Sequence, residues 1–201
     1  MSAVELFFLN SGFSWTLSKA LPYVLAVLLG IILVYLMRKR FRKNALLKWA
    51  LRLVFLVIPF TLYFMYSPIY RGDFSNGGEE LARDSTMLEL TGNKLVVLTI
   101  PGCPFCYEAV DRMILLHDRL PEAQIEFRVC SSDPNTLSWY KDKGGEAIQV
   151  VLADSSTAMA TLAMHRFPAF ILVDGDNKPL KRWSNDSFGV SAMDEVELSL
   201  K

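Results

Sequence analysis

The chain has 201 residues, 52% of them hydrophobic, and equal numbers of basic and acidic side chains. This apolar content is high for one soluble domain and is concentrated near the N-terminus, which indicates membrane spans followed by a globular unit. Residues 1–66 hold 8 basic side chains against the single acid Glu5, so the remaining residues hold 13 basic and 20 acidic ones, a balance of −7. The globular part therefore has no basic face, and no nucleic-acid partner is expected.

Two charge-free runs predict a transmembrane helical hairpin over residues 20–70. Residues 20–37 carry no charge over 18 positions, which is long enough to cross the bilayer as a helix, and residues 53–70 form a second such run. The stretch before them, residues 1–19, is expected to be an extramembrane or interfacial segment. A cleaved signal peptide fits poorly, because this segment precedes the first run and the basic cluster follows it.

The loop between the two spans, residues 38–52, predicts the orientation of the hairpin. It contains seven basic residues and no acidic residue. Because such loops stay on the cytoplasmic side, the N-terminus and the chain after residue 70 are expected on the other side. The sequence therefore predicts a two-pass protein of the cytoplasmic (inner) membrane, in contact with the lipid bilayer, whose globular domain faces the extracytoplasmic or periplasmic side.

After the spans, the sequence predicts a linker over residues 71–84 and a globular domain over residues 85–201. Residues 79–84 are expected to form a short helix. Apolar and alternating patterns predict the elements of the domain. The strands are expected at residues 85–90, 94–100, 124–130, 147–152, 167–174 and 180–184, and the helices at 107–120, 133–143, 154–165 and 190–200. Strands separated by helices indicate an α/β fold, with a central mixed sheet flanked by helices.

The stretch Cys103-Pro-Phe-Cys106 lies between a predicted strand and a predicted helix. Cys103 falls at the expected N-cap and Pro104 at the first helical position, where a missing N–H costs nothing. The free N–H groups and the positive end of the helix dipole favour a thiolate over a thiol, as a nucleophilic cysteine requires. The second sulfur is within reach of the first, so a disulfide can close and reopen with little backbone motion.

A lone Cys-x-x-Cys also fits a structural zinc site or an inert structural disulfide. Zinc needs a second pair of ligands at metal spacing, and the other candidates, Cys130, His117 and His165, are scattered singly. An inert disulfide that closes so short a loop contributes little chain-entropy stabilisation. The strand, the proline and the helix favour the redox interpretation, and no metal site is expected.

The order of elements from about residue 95 to residue 200 resembles the thioredoxin superfamily. Two features carry the resemblance. One is the unit of strand, Cys103-Pro-Phe-Cys106 and helix, and the other is Phe167-Pro168, which opens the next-to-last strand where the superfamily places a cis proline against the active-site sulfurs. The added strand and helix between residues 128 and 167, with the stretch 173–178, are similar to the membrane-anchored TlpA/ResA group of thiol-disulfide oxidoreductases. Pro104-Phe105 is more similar to the glutaredoxin dipeptide.

Three positions depart from the pattern that this resemblance implies. Gly102 stands where an aromatic residue usually precedes the first cysteine, and Phe167 is bulkier than the usual residue before the proline. Val97 occupies the position at which thioredoxins bury an acid. These departures bear on substrate choice and redox direction rather than on the fold.

The resemblance implies a role for each residue of the site. Cys103 would be the exposed nucleophile, Cys106 the resolving thiol and Pro104 a supporting residue. The backbone beside Pro168 would pair with a substrate strand. Phe105 and Phe167 would form an apolar lip beside the sulfurs, although each fits a core position equally well. By contrast, Cys130 is expected to be a buried small hydrophobe and His165 a surface or satisfied histidine.

These expectations lead to a membrane-tethered thiol-disulfide oxidoreductase whose substrates are protein thiols and disulfides. A membrane or extracytoplasmic redox partner would recycle the couple, and no cofactor beyond the Cys103–Cys106 disulfide is expected. Whether the enzyme acts as reductase or oxidase is left open. Two alternatives remain: a module that holds Cu(I) through Cys103, Cys106 and His165, since soft thiolates and imidazole suit that ion, and a redox-inactive membrane adaptor.

Overall fold

The computed structural model describes residues 1–37, 45–70, 72–75, 77–81, 93–153, 155–175 and 179–201. The chain divides into two compact units, Met1–Tyr70 and Arg71–Lys201. The strand predicted over residues 85–90 lies outside the described residues.

The described residues of the first unit form three helices, α1 (Ala3–Asn10), α2 (Trp15–Met37) and α3 (Ala45–Tyr66). A capping box starts α1, because the Ser2 hydroxyl accepts a hydrogen bond from the N–H of Glu5 and the Glu5 carboxylate accepts one from the N–H of Ser2. All of α2 and the Trp49–Tyr66 part of α3 are long and apolar enough to cross a membrane by length and composition. α2 and α3 pack against each other.

A buried polar cluster joins the three helices at one end of this unit. Glu5 is fully buried, and its carboxylate accepts a hydrogen bond from the Ser67 hydroxyl at 2.6 Å and pairs with the Lys19 ammonium at 3.2 Å. The Lys19 ammonium also donates to the carbonyl of Pro68 at 3.3 Å, and the Tyr23 hydroxyl donates to the carbonyl of Ser67. Because a buried charge without its partner is costly, these contacts hold α1 against α2 and the end of α3.

The second unit is built on a six-stranded mixed sheet. Its strands are β1 (Glu79–Glu80), β2 (Lys94–Thr99), β3 (Gln124–Val129), β4 (Gln149–Leu152), β5 (Ala169–Val173) and β6 (Pro179–Ser184), in the order β1-β6-β5-β2-β3-β4. β2, β3 and β4 are parallel, whereas β5 pairs antiparallel with β2 and β6, and β1 pairs antiparallel with β6. The helices are α4 (Pro104–Arg119), α5 (Ser138–Gly144), α6 (Ser156–Leu162) and α7 (Val190–Leu200).

Helices cover both faces of this sheet, as the predicted fold class requires. Every residue of β2 is buried, because its side chains alternate between two covered faces. On one face, the Arg112 guanidinium of α4 lies over the Phe170 ring at 5.4 Å and donates to the carbonyl of Phe188, just before α7, at 2.9 Å. On the other face, Val96 and Ile171 belong to an apolar cluster that includes side chains of α6.

The face that carries Val96 also holds a buried ion-pair network. Glu126 lies opposite Val96 in the parallel ladder, and its carboxylate contacts the Lys94 ammonium and the Arg128 guanidinium. All three charged residues are at most 7% exposed. Burial alone raises the pKa of Glu126, but the hydrogen bonds from Lys94 and Arg128 bring this pKa below its usual value.

The helix predicted over residues 79–84 is wrong at its start. Glu79 and Glu80 form β1 and pair with Arg182 and Lys181 of β6, and the Glu79 carboxylate also contacts the Arg182 guanidinium. Their partners lie about a hundred residues later in the chain, so a local pattern does not reveal the pairing.

Two other predicted helices differ in their bounds. The helix expected over residues 133–143 begins as a 3₁₀ helix, Pro134–Leu137, capped by Asp133, and continues as α5. The helix expected over residues 154–165 ends at Leu162, because Met164 and His165 have φ angles of 51° and 55°. Such angles lie outside the right-handed helical region.

Candidate active site

The candidate site lies in the turn between β2 and α4. Gly102 has a φ of +72°, a conformation that residues with a Cβ rarely adopt, which accounts for a glycine where the resemblance implies an aromatic residue. Cys103 follows as the N-cap of α4, and Pro104 is the first residue of the helix, as predicted.

Cys103 and Cys106 form a disulfide whose Cα atoms are 5.2 Å apart. Cys103 is partly exposed, whereas Cys106 is fully buried against the body of the domain. The Cys103 sulfur accepts a hydrogen bond from the backbone N–H of Cys106 at 3.1 Å. The two sulfurs therefore differ in access, and the accessible sulfur is the one at the electropositive end of the helix.

The peptide bond between Phe167 and Pro168 is cis, as the resemblance implies. Ala169, the next residue, pairs with Leu98 near the end of β2, so the proline lies at the end of the sheet from which the Cys103 loop departs. Pro168 itself is buried.

The two aromatic residues expected to flank the sulfurs differ in exposure. Phe105, between the two cysteines, is 56% exposed and available to a partner. Phe167 is half-buried and packs against the apolar cluster beneath α6. Phe105 therefore has the surface that a substrate contact needs, whereas part of Phe167 serves the core.

The segment just before Phe167-Pro168 has an unusual backbone conformation. Met164 and His165 both have positive φ, and both side chains are exposed. Arg182 of β6 donates to the carbonyl of Leu162 at 2.6 Å and reaches the Met164 sulfur at 2.7 Å. These contacts hold the loop between α6 and β5 against β6. Sequence reasoning missed Arg182, since its partners are remote in the chain.

Two residues of α5 support the turn between β2 and α4, and neither was predicted from the sequence. The Tyr140 hydroxyl donates to the carbonyl of Ile100 at 2.7 Å, so it holds the backbone just before the turn. The Lys143 ammonium donates to the carbonyl of Tyr107 at 2.7 Å and to Asp111 at 2.9 Å, and lies 4.0 Å from the centroid of the Tyr107 ring. No local pattern links α5 to α4, so these two contacts could not be predicted from the sequence.

Cys130 and His165 are not expected to react with the disulfide. Cys130 follows β3, is half-buried and packs against the apolar cluster, and burial raises its thiol pKa to about 11. At neutral pH this thiol is protonated and is a poor nucleophile. His165 is exposed. Within the described parts of the chain, no group of three or more His, Cys, Asp or Glu side chains is arranged to hold a metal ion, and Cys103, Cys106 and His165 are among the residues covered.

No family model matches the sequence, and no curated protein matches it. Several solved structures are similar. A secreted disulfide oxidoreductase of Mycobacterium tuberculosis, homologous to E. coli DsbE, is 16% identical, with 55% of this chain and 82% of that chain covered at a TM-score of 0.41. The thioredoxin domain of a Bacteroides vulgatus thiol-disulfide oxidoreductase is also 16% identical, with coverage of 56% and 81% and a TM-score of 0.43. StoA from Bacillus subtilis is 10% identical, with coverage of 55% and 85% and a TM-score of 0.43.

The fold of the second unit is assigned from the geometry of its described residues. A mixed sheet has helices on both faces, a disulfide opens the helix after the central strand β2, and a cis proline precedes the antiparallel neighbour β5. The described residues of the second unit have the thioredoxin-like fold.

Proposed function

We propose that the protein is a membrane-tethered thiol-disulfide oxidoreductase that acts through Cys103 and Cys106. The observation that carries this proposal is the asymmetry of the disulfide. Cys103 is partly exposed and accepts an N–H at the start of α4, whereas Cys106 is fully buried. A disulfide with one accessible sulfur at a helix N-terminus suits stepwise exchange with another protein.

In the reducing direction, the Cys103 thiolate attacks one sulfur of a substrate disulfide. A mixed disulfide forms, and the other substrate sulfur leaves as a thiolate. Cys106 then loses its proton and attacks the Cys103 sulfur, which forms the Cys103–Cys106 disulfide and releases the second substrate thiolate. Two electrons pass from the Cys103–Cys106 dithiol to the substrate, and the reverse sequence oxidises a substrate dithiol. No cofactor beyond the cysteine pair is needed.

The residues around the sulfurs supply the substrate contacts in this proposal. Phe105 presents an exposed ring between the two cysteines, and the exposed part of Phe167 and the backbone next to Pro168 lie at the end of the sheet from which the Cys103 loop departs. Pro104 supports the turn by starting α4. The substrates are thiols and disulfides of proteins, and a membrane or extracytoplasmic redox partner recycles the couple.

The membrane part of the proposal rests on α2 and α3. Both contain spans of sufficient length and hydropathy, and the stretch between them is basic. The protein is proposed to be a two-pass protein of the cytoplasmic (inner) membrane, with its N-terminus and its thioredoxin-like domain on the extracytoplasmic or periplasmic side.

The test is thiol-disulfide exchange by the full-length protein in detergent. Wild type should accelerate the reduction of insulin by dithiothreitol, Cys103→Ser should abolish the acceleration, and Cys130→Ala should retain it as the matched cysteine control. A Cys103→Ser, Cys106→Ser double variant as active as wild type would overturn the redox proposal and favour an adaptor. Equilibration with glutathione buffers then gives the direction. A potential near about −270 mV indicates a reductant and one near about −120 mV an oxidant.

A further inference from the structure

An apolar groove lies between α2 and α3, on the part of the two helices nearest the basic stretch. Its volume is about 920 Å³, and its lining includes Val34 and Tyr35 of α2 and Trp49, Leu53 and Leu56 of α3. This volume is near the upper end of the range of roughly 300–1,000 Å³ found for small-molecule sites. The groove is therefore large enough for a ligand with a long apolar part.

A close helix contact lies at one end of the groove. A Cβ placed on Gly30 would lie 2.6 Å from the carbonyl oxygen of Leu56 and 3.1 Å from its Cα, so the two backbones are in contact at this point. Small residues permit this approach between membrane helices. The residues that line the groove follow Gly30 in α2 and precede or include Leu56 in α3, so the groove extends from this contact towards the basic stretch.

Arg52 adds a cation to the lining of the groove. Its guanidinium lies 5.5 Å from the centroid of the Trp49 ring, and that ring is 70% exposed. Tryptophan and arginine together are typical of the zone where lipid headgroups meet the hydrocarbon. The sequence between the two helices, residues 38–44, contributes five further basic residues and no acid. The electrostatic environment near this end of the groove therefore favours an anion.

We propose that the groove binds an anionic phospholipid, with acyl chains against the apolar lining and its phosphate at Arg52. The inference rests on the proposed insertion of α2 and α3 into a membrane. Basic pockets between membrane helices on the cytoplasmic side select anionic headgroups, because a guanidinium binds phosphate by paired hydrogen bonds. A zwitterionic lipid of identical chains fills the same groove but offers less charge to Arg52. The site is thus specific for the headgroup and tolerant of the chains.

The probe is dioleoyl phosphatidylglycerol, in competition with dioleoyl phosphatidylcholine at equal concentration. Native mass spectrometry of the full-length protein in mild detergent should show one phosphatidylglycerol retained in preference. Arg52→Gln should lower the preference about fivefold, since one basic side chain near the surface is lost. Ala50→Trp, which fills the groove and keeps Arg52, should remove the retained lipid. Leu62→Trp is the matched control, because Leu62 lies on the same helix, is 63% exposed and is not part of the lining.

Three outcomes separate this inference from the proposals on which it depends. Equal retention of the two lipids by wild type, or equal phosphatidylglycerol retention by Ala50→Trp and Leu62→Trp, overturns the lipid site. Release of the protein from membranes by sodium carbonate overturns membrane insertion and the lipid site with it. Insulin reduction measured on the same samples tests the redox function by itself, because Arg52 and Ala50 lie outside the unit that carries the disulfide.

Discussion

The sulfur of Cys103 accepts a hydrogen bond from the backbone N–H of Cys106 at 3.1 Å, so the turn that joins the two half-cystines also supplies a donor to the first of them. After reduction, the same N–H and the positive end of α4 favour a thiolate at Cys103. Cys106 is fully buried, so its sulfur lacks the access that Cys103 has.

This difference predicts unequal reactivity of the two thiols. In a Cys130→Ala background, Cys103 of the reduced Cys106→Ser variant should be alkylated by iodoacetamide at pH 7 at least about tenfold faster than Cys106 of the Cys103→Ser variant. The measurement is the rate of mass increase. Faster alkylation of Cys106 would reverse the roles of nucleophile and resolving thiol.

The Glu126 network predicts a large loss of stability when its carboxylate is removed. Glu126→Gln removes the carboxylate that pairs with the buried Lys94 ammonium and the buried Arg128 guanidinium, which should lower the free energy of unfolding by about 3–5 kcal/mol. Urea unfolding of the oxidised domain measures the change. Glu122→Gln, at an exposed position, is the control and should change it by less than about 0.5 kcal/mol.

The lowered pKa of Glu126 also predicts the acid dependence of stability. A carboxylate whose folded pKa is depressed stabilises the protein above its unfolded pKa, about 4.3, and loses this contribution as pH falls through the folded pKa. Below about pH 4.3, the free energy of unfolding should fall more steeply for wild type than for Glu126→Gln. Parallel curves for the two proteins would mean that the network does not depress this pKa.

The raised thiol pKa of Cys130 predicts how the stability of the protein changes at alkaline pH. Its pKa of about 11 exceeds the unfolded value of about 8.5, so the folded state binds the proton more tightly within this window. The free energy of unfolding of the oxidised protein should therefore fall as pH rises from about 8.5 towards 11. Cys130→Ala should lessen the fall between pH 8 and 10. An identical fall in both proteins would assign it to other groups.

The contacts of Arg182 are expected to make the loop before Pro168 rigid. Arg182→Met removes the bond to the Leu162 carbonyl and the contact with Met164, so amide hydrogen exchange of residues 163–167 should rise about tenfold. The Michaelis constant for insulin should also rise, with less effect on kcat. Lys181→Met is the matched control, because the ammonium of the neighbouring Lys181 binds Glu195 of α7.

The basic stretch between α2 and α3 predicts the outcome of reporter fusions. Alkaline phosphatase fused after Lys201 should be active, and a cytoplasmic fluorescent reporter at the same position should be dark. Fusions after residue 44, within the basic stretch, should give the opposite pair. A fluorescent reporter and inactive phosphatase at Lys201 would place the disulfide in the cytoplasm.

Local chemistry explains why much of the site could be predicted from the sequence. Cys103 at the N-cap and Pro104 at the first position of α4 follow from rules that involve neighbouring residues only, and the structure confirms both. The strands β2, β3 and β5 have long apolar or alternating runs, so their existence could be predicted although their ends shift by one or two residues.

Non-local pairing explains what the sequence did not reveal. Glu79 was predicted to begin a helix. In the structure it belongs to a strand, because its backbone pairs with β6 and its carboxylate contacts Arg182. The bond from Tyr140 to the Ile100 carbonyl spans 40 residues. Such contacts depend on the assembled sheet, and no periodicity within either segment encodes them.

The first residues of the second unit, between Asp73 and Leu81, are hydrogen-bonded to the sheet and to α7. The N–H of Ser191 donates to the carbonyl of Asp73 at 3.1 Å, β1 pairs with the outer side of β6, and the N–H of Leu81 donates to the carbonyl of Leu180 at 3.1 Å. A soluble expression product that starts at residue 85 loses these bonds and leaves β6 as an open edge, which invites pairing between molecules. One that starts at Arg71 keeps the edge covered and should remain monodisperse, so the choice of first residue decides whether the second unit is suitable for solution work.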